Sequence, residues 1–539
     1  MSRFLDRLTH SARTSDRGLV VRDGDTFARR TWGEVHQRAR RIAGGLAEAG
    51  IGPGSRVAVL CGHPGEVAPL AQAVWLRGAA MTMLQQASPR TDPATWLADT
   101  AVALATVRAD LVVAGRPFDP AVLAGTPVRT VPLAALDAGP DADPVEAGED
   151  AAALLQLSSG STGAPKAIVV THRNLYANID SLLARFRLSP ASDTAVSWLP
   201  LFHDMGMIAF MAQPMMAGLE LVKATPLEFL GSPVLWAEMI DRFRGTFTAA
   251  PNFAYVLLSR RLERAPDGRL DLSTMRYAIN GAEPVDYLAM QRFVAEARRF
   301  GWQDTALVGA YGMAEAVLGI SAPEPGRGLG VDRVDPDALE LTATATPDPD
   351  GRPLATLGRP FDGMQVRVVA EDGEPVGPRR AGELEIRGEA VTETYLTVEG
   401  EFGARGADGW LRTGDVGYCT EDGELVICGR RKDVIIVAGR NIFPTEIERA
   451  AERAPGIRLG GVVAVSIDAG RPDEGFAVIA EADPRDTGRD AGELRRAVGR
   501  RVFDAVGATP RQVLVVAAGR VPKTSSGKLR RGQARELLR

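Results

Sequence analysis

Residues Leu154 to Leu175 read LLQLSSGSTGAPKAIVVTHRNL. Two apolar runs, LLQL and AIVV, flank a loop of Ser, Gly and Thr, and the second run ends at Thr171, which can cap a helix beginning near Asn174. The order is therefore strand, loop, strand, helix. From Ser158 to Lys166 the loop offers the hydroxyls of Ser158, Ser159, Ser161 and Thr162, backbone amides left open by Gly160 and Gly163, and the Lys166 ammonium. That composition suits polyphosphate oxygens. The loop does not match GxxxxGK[ST], because Pro165 precedes Lys166 where a Gly is needed. A flexible surface hairpin accounts for the string equally well when nothing else is considered.

At 539 residues the chain exceeds one ordinary domain, and about two to four structural units are expected. Hydrophobic content of 45% and charged content of 24% are those of a globular chain. A net charge of −5 implies no polyanion partner, so nucleic-acid binding is not expected. No run approaches the roughly 18 apolar residues of a membrane span, and the charged N-terminal stretch lacks the apolar core of a secretory signal. Cys61, Cys419 and Cys428 form neither a disulfide framework nor a metal-ligand spacing, which points to a reducing cytoplasm.

Thr31 to Glu34 (TWGE) has the capping-box pattern, and Val35, Ile42 and Leu46 follow at helical spacing until Gly50 and Pro53. Arg56 to Cys61 reads as a short strand, Val67 to Leu76 as a helix and Ala79 to Leu84 as another apolar stretch. Such alternation predicts helices packed on buried sheets. Asp137 to Asp150, Thr346 to Pro353 and Asp483 to Gly492 read as linkers.

Four further strings carry side chains suited to chemistry. Ser197 to Gly206 (SWLPLFHDMG) opens a Met-rich segment reaching Met216, which is either core packing or the wall of an apolar pocket. Ala278 to Glu283 (AINGAE) reads as a strand running into a turn, where Gly281 permits close approach of a flat ligand or simply ends the strand. In Gly309 to Glu315 (GAYGMAE), Tyr311 can pack on a purine and Glu315 can offer Mg2+ a hard oxygen. In Trp410 to Asp415 (WLRTGD), Asp415 can accept hydrogen bonds from two neighbouring hydroxyls, although an Asp in a β-turn is common. Beyond Gly429 to Asp433 (GRRKD), strands at Val434 to Val437, Gly461 to Ile467 and Phe476 to Ala480 and helices at Pro444 to Glu452 and Leu494 to Val506 suit a small α+β domain.

These strings, with Val521 to Leu529 (VPKTSSGKL), resemble in order and kind the signatures of the adenylate-forming superfamily. That superfamily includes acyl-CoA synthetases, peptide-synthetase adenylation domains, fatty acyl-AMP ligases and luciferase. The resemblance covers Leu154 to Leu529 and implies an α/β fold: a large N-terminal domain of mixed sheets and flanking helices (1–430) and a small mobile α+β C-terminal domain (431–539). It implies that ATP is held by Ser158, Ser159, Gly160, Ser161, Thr162, Gly163 and Lys166 on its phosphates. Gly281, Ala282, Glu283, Tyr311, Gly312 and Met313 would flank the base, and Asp415 and Arg430 would hold the ribose or phosphate. Glu315 becomes the Mg2+ ligand, Lys528 the mobile catalytic lysine and Lys432 the hinge. His203 is assigned to the catalytic set, and Phe202, Met205, Met207 and Asn280 to the acid pocket.

The implied reaction activates a carboxylic acid as acyl-AMP with release of pyrophosphate. The strings WLPLFHDMG, YGMAE, Pro226 to Ile240 (PLEFLGSPVLWAEMI) and Gly439 to Pro444 (GRNIFP) look more like fatty acyl-AMP ligases, whose acceptor is a carrier-protein phosphopantetheine thiol, than like synthetases that use CoA. Peptide-synthetase domains carry an Asp that pairs with the amino group; PLEFLGSP offers no counterpart, so an apolar or bulky acid is expected. A catalytically silent nucleotide-binding or scaffold protein is the alternative of another class.

Overall fold

The stretch from Leu154 folds as the antiparallel pair Ala152–Ser159 and Pro165–Thr171, with Leu155 opposite Val169 and Ser158 opposite Lys166. Opposed residues share a face, so the base of the loop presents Ser158 and Lys166 together. Thr171 then caps helix His172–Phe186: its hydroxyl accepts from the Asn174 amide, and the Asn174 side chain returns to the Thr171 backbone. The computed structural model describes residues 1–87, 92–159, 165–437, 439–469, 474–486, 488–523 and 528–538.

Among the described residues this pair belongs to an eight-stranded sheet. On one side follow Ala80–Met83, Arg56–Leu60, Leu111–Ala114 and Thr130–Pro132, all parallel; on the other lie the short antiparallel strands Thr394–Leu396 and Glu401–Gly403. A second sheet runs Leu307–Gly309, Tyr277–Asn280, Phe247–Ala250, Thr194–Ser197, Glu220–Lys223 and Gly18–Asp23 in parallel, closed by antiparallel Thr26–Thr31. Its inner strands are buried along their whole length, as expected where helices cover both faces. Phe186, Phe210, Phe247 and Tyr277 interlock on one of these faces, with ring centroids 4.5 to 5.7 Å apart for the direct neighbours. Because the strands are parallel, their carboxyl ends bring Ser197, Lys223, Ala250, Asn280 and Gly309 to one edge, the edge where open α/β sheets bind ligands.

A third, antiparallel sheet holds Met364–Val369, Gly382–Gly388, Leu411–Cys419 and Leu425–Arg430. Downstream, Ile457–Ile467, Gly475–Ala482 and Gln512–Val516 form a three-stranded sheet packed by helices Pro444–Glu452 and Ala491–Val506 around Ile447, Val478, Val498 and Val502. The fold is mixed α/β with small sheets at its C-terminal end, as expected. No helix among the described residues is long and apolar enough to cross a membrane.

Local expectations hold where a cap or a continuous apolar run defines the element. Thr31 and Glu34 form a reciprocal capping box on Trp32–Glu48, and Gly50 leaves that helix at φ +87°. Pro64–Leu76 starts three residues before the apolar pattern because Pro64 occupies the first turn. Thr346 to Pro353, expected as a linker, instead ends inside strand Arg352–Ala355, whose partner is Val331–Val334. The pairing of distant strands, which composition does not encode, makes the difference.

Lys223 ends its strand with no solvent exposure. Its ammonium donates to the Leu199 carbonyl at 2.8 Å and to Ser197 Oγ at 3.2 Å, and it has no carboxylate partner among the described residues. Burial pulls its pKa down to about 7. An unfolded chain keeps this proton to about pH 10, whereas the folded protein releases it near pH 7. Between those limits the unfolded state binds more protons, so stability rises with pH. Denaturant titrations from pH 7 to pH 10 are expected to show wild-type stability climbing by up to roughly 1.4 kcal/mol per pH unit from this group, with Lys223→Met lacking that increment. Parallel pH profiles of the two proteins would overturn the assignment.

Candidate active site

Two ionic clusters are centred on Glu315 and Asp415. In the first, Lys166 Nζ lies 3.1 Å from Glu315 Oε1 and 3.5 Å from the centroid of the Tyr395 ring, while the Tyr395 hydroxyl donates to Glu315 Oε1 at 3.2 Å. The lysine is thus held by a carboxylate and an aromatic face at once. Glu315 sits in the short 3-10 turn Ala314–Ala316, followed by Val317 at φ +66°, a strained conformation for a β-branched residue. The Val317 amide closes the turn on the Ala314 carbonyl at 3.0 Å, and Thr392 donates its amide to the Glu315 carbonyl at 2.8 Å.

In the second cluster the Tyr311 hydroxyl donates to Asp415 Oδ2 at 2.6 Å, and Arg430 Nε lies 2.8 Å from Asp415 Oδ1. Asp415 and Arg430 face one another across paired strands, and Arg430 also donates to the Thr413 carbonyl at 3.0 Å. Burial raises the Asp415 pKa; the Arg430 charge and the Tyr311 hydroxyl oppose that rise. Burial likewise pushes the Tyr311 phenol well above its usual value, with the Asp415 charge adding to it, so the phenol stays a donor. Glu315 acts on both Asp415 and Arg430, which links the two clusters electrostatically.

Strand Tyr277–Asn280 delivers the turn beside them. Asn280 is fully buried; its Nδ2 donates to Asn252 Oδ1 at 2.9 Å, and its Oδ1 has no partner among the described residues. The left-handed backbone falls on Ala282, at φ +70°, and not on Gly281, where a Cβ would come 3.3 Å from the Ala310 carbonyl oxygen. A tight backbone is therefore present, one residue later than the glycine suggests. Gly312 is required for packing: a Cβ there would lie 1.9 Å from the Leu318 carbonyl oxygen. Met313 is half-buried, and Glu283 is exposed at the rim.

The pocket string runs from Trp198, stacked on Phe229 at 3.8 Å, into the π-helix Met205–Ala212, all of whose residues are buried. Such helices are frequent at functional sites. Met205 and Met207 lie on it, and Gln156 Nε2 donates to the Phe202 carbonyl at 3.1 Å, tying this segment to the strand before the loop. His203 Nδ1 lies 2.6 Å from Asp204 Oδ1. Burial raises the Asp204 pKa, but His203 and Lys528 more than offset it, leaving the carboxyl below its ordinary value. Lys528 also acts on Glu283 and Asp415. The charge of a lysine far along the sequence thus bears on three acidic groups.

Ser158 Oγ is buried without a partner among the described residues, next to Lys166 across the strand pair. Gly160, Ser161, Thr162 and Gly163 lie outside the described residues, as does the side chain of Ser159. Lys432 is exposed within the turn Arg431–Asp433. Three participants carry no sequence signal. Tyr395 comes from a three-residue strand, Gln156 reads as an ordinary strand residue, and Asn252 begins helix Asn252–Leu262. Asp204 had a signal, its place beside His203 in the pocket string.

Among the described residues no three His, Cys, Asp or Glu side chains cluster as a metal cage. The Glu315 carboxylate, a hard oxygen donor paired with Lys166, is of the chemistry that fits Mg2+ held chiefly by phosphates and water.

This architecture, two large sheets and a third antiparallel sheet around Asp415, Glu315 and Lys166, is that of adenylate-forming enzymes. The AMP-binding enzyme profile matches residues 8–396. A candidate ligase of Mycobacterium tuberculosis, Rv1013, is 47% identical over the whole of both chains. The medium-chain-fatty-acid–[acyl-carrier-protein] ligase JamA of Moorena producens is 33% identical, with 72% of this chain and 67% of JamA aligned. Among solved structures, one from a study of fatty acyl-adenylate ligases of E. coli and L. pneumophila superposes with a TM-score of 0.89 at 29% identity, covering 100% of this chain and 97% of that one. The chain belongs to the AMP-binding enzyme family and is an adenylate-forming acyl ligase.

The geometry around Asp415 predicts how it titrates. Removing the guanidinium in Arg430→Met is expected to drive the Asp415 midpoint further up, and Tyr311→Phe to raise it less, when carboxylate carbons are followed by NMR. An unmoved midpoint in Arg430→Met would refute the electrostatic account.

Proposed function

We propose that the protein activates an apolar or bulky carboxylic acid as acyl-AMP and then passes the acyl group to the phosphopantetheine thiol of a carrier protein. The observation that carries this reading is the pair of charged clusters, Lys166 on Glu315 and Arg430 with Tyr311 on Asp415, together with the buried π-helix of the pocket string. A carboxylate oxygen of the acid attacks the α-phosphorus of ATP, the bond from that phosphorus to the bridging oxygen breaks, and pyrophosphate leaves. Two anions must approach each other, so the protein's work is positional and electrostatic. Lys528 is a mobile point charge suited to bridging the carboxylate and the α-phosphate. Lys166, with Ser158 and the loop between them, holds the leaving phosphates. Glu315 would hold Mg2+, which when bound would supply charge neutralisation there. Tyr311 and Met313 flank the base, and Asp415 and Arg430 hold the ribose and phosphate. An acid nucleophile needs no general base, being ionised at neutral pH, and His203 with Asp204 lines the path to the pocket.

The apolar character of the acid is supported by the buried π-helix and by the Trp198–Phe229 stack at its entrance. JamA, a ligase for a carrier protein, is in keeping with that acceptor, and fatty-acid–CoA ligase relatives of the same identity make free CoA the alternative. We divide the chain into a large lobe, 1–430, and a small mobile lobe, 431–539, hinged at Lys432. The residues beside the hinge are anchored to opposite bodies: Arg431 to Glu383 at 2.7 Å, Asp433 to Arg531 at 3.2 Å. Rotation there withdraws Lys528 and admits the thiol. Three free cysteines fit a reducing cytoplasm.

Pyrophosphate release across fatty, aromatic and polycyclic acids, followed by a choice between holo carrier protein and CoA, tests the reading. Acid-dependent release with carrier acylation is expected; silence with every acid would favour a non-catalytic nucleotide binder, and preferential CoA acylation would name the other acceptor. Lys528→Ala is expected to lower adenylation by roughly a hundredfold or more while thiol transfer from supplied acyl-AMP survives. Equal loss of both steps would sink the two-arrangement scheme.

A further inference from the structure

A continuous chain of hydrogen bonds runs from the end of a pocket strand to the small lobe. Asn280 Nδ2 donates to Asn252 Oδ1 at 2.9 Å, Asn252 Nδ2 donates to the Pro284 carbonyl at 2.8 Å, and Arg449 Nη2 donates to that same carbonyl at 2.9 Å. Asp286 braces the arrangement: its amide donates to Asn252 Oδ1 at 3.0 Å and its Oδ2 lies 4.0 Å from Arg449 Nε. Pro284 follows directly on the strained Ala282 turn, so the guanidinium grips the segment that flanks the nucleotide base. Arg449 belongs to helix Pro444–Glu452 of the small lobe and is 18% exposed. The guanidinium makes this bond charge-assisted, which strengthens it over a neutral pair.

Arg440 also crosses between lobes, to Glu340 at 2.6 Å, but it stands closer to the hinge in sequence and touches no site segment. Arg449 instead joins the lobe that carries Lys528 to the turn that carries Glu283, on which the charges of both Arg449 and Lys528 act.

Resting on the adenylation reading above, we infer that Arg449 is a positioning residue: it latches the small lobe onto the Pro284 turn in the arrangement that points Lys528 into the site. The chain through Asn252 to Asn280 makes the latch sensitive to the pocket strand, so the state of the site biases the lobe orientation. The bond is made in only one of the two lobe arrangements, so it supports one half-reaction and not the other.

The test measures both half-reactions and the lobe separation. Arg449→Ala is expected to lower acid-dependent pyrophosphate exchange by roughly ten- to a hundredfold, the population shift that follows loss of one charge-assisted hydrogen bond. Thiol transfer from supplied acyl-AMP should stay at the wild-type rate, and Arg449→Lys should recover part of the exchange. Spin labels on Val398→Cys and Phe503→Cys, both exposed positions in the two lobes, read the orientation without activity. Arg449→Ala should shift their distance distribution away from the wild-type one. An unchanged distribution, or equal loss of both half-reactions, overturns the latch. Wild-type protein that exchanges pyrophosphate with no acid overturns the adenylation reading instead, and the label distances still decide the latch.

Discussion

Burial of the Asp415 carboxylate is the constraint on which the site depends. A charge removed from water costs several kcal/mol unless donors and a counter-charge replace the solvent, and here Tyr311 and Arg430 supply them. Each comes from a different part of the chain, so satisfying one carboxylate fixes the loop after Gly309 against the third sheet. Glu315 repeats the solution with Lys166 and Tyr395, joining strand Pro165–Thr171, the 3-10 turn and strand Thr394–Leu396. Each cluster thus holds its charges in paired geometry before any ligand is bound.

The backbone carries strain where these clusters are aimed. Ala282 and Val317 both adopt positive φ without being glycine, and both adjoin side chains that the proposed chemistry uses. Such conformations persist only when surrounding bonds over-determine them. The Ala314 carbonyl closes the Val317 turn, and the Asn252 network pins the segment after Ala282. Lys223 is a comparable cost in the core, a lysine buried to brace the carbonyl that leads into the pocket string.

Legibility in the sequence followed the range of the interaction. The strand pair around the loop, the capping boxes at Thr31 and Thr171 and the helices of the C-terminal sheet depend on neighbours a few residues away, and their residue types announce them. The order of the site strings carried the family resemblance, and the family match bears that out. Tyr395 was illegible because its meaning comes from Glu315, brought beside it by a short strand that adds to the strand pair around the loop. Asn252 was illegible for the same reason: its partners, Asn280 and Pro284, reach it only once parallel strands lie side by side.

The sequence by itself determined the periodicities, the caps, the apolar strands and the set of chemical groups from Ser158 to Lys528, because local sterics and side-chain type decide those. Only the tertiary structure decided which groups share a charge. It set Lys166 on Glu315 and Tyr395, enclosed Asp415 between Tyr311 and Arg430, put the left-handed turn on Ala282 and let Arg449 grip Pro284. The reason is physical: the strength of a charged contact depends on burial and on distances of a few ångströms, and both exist only after distant strands have found their register.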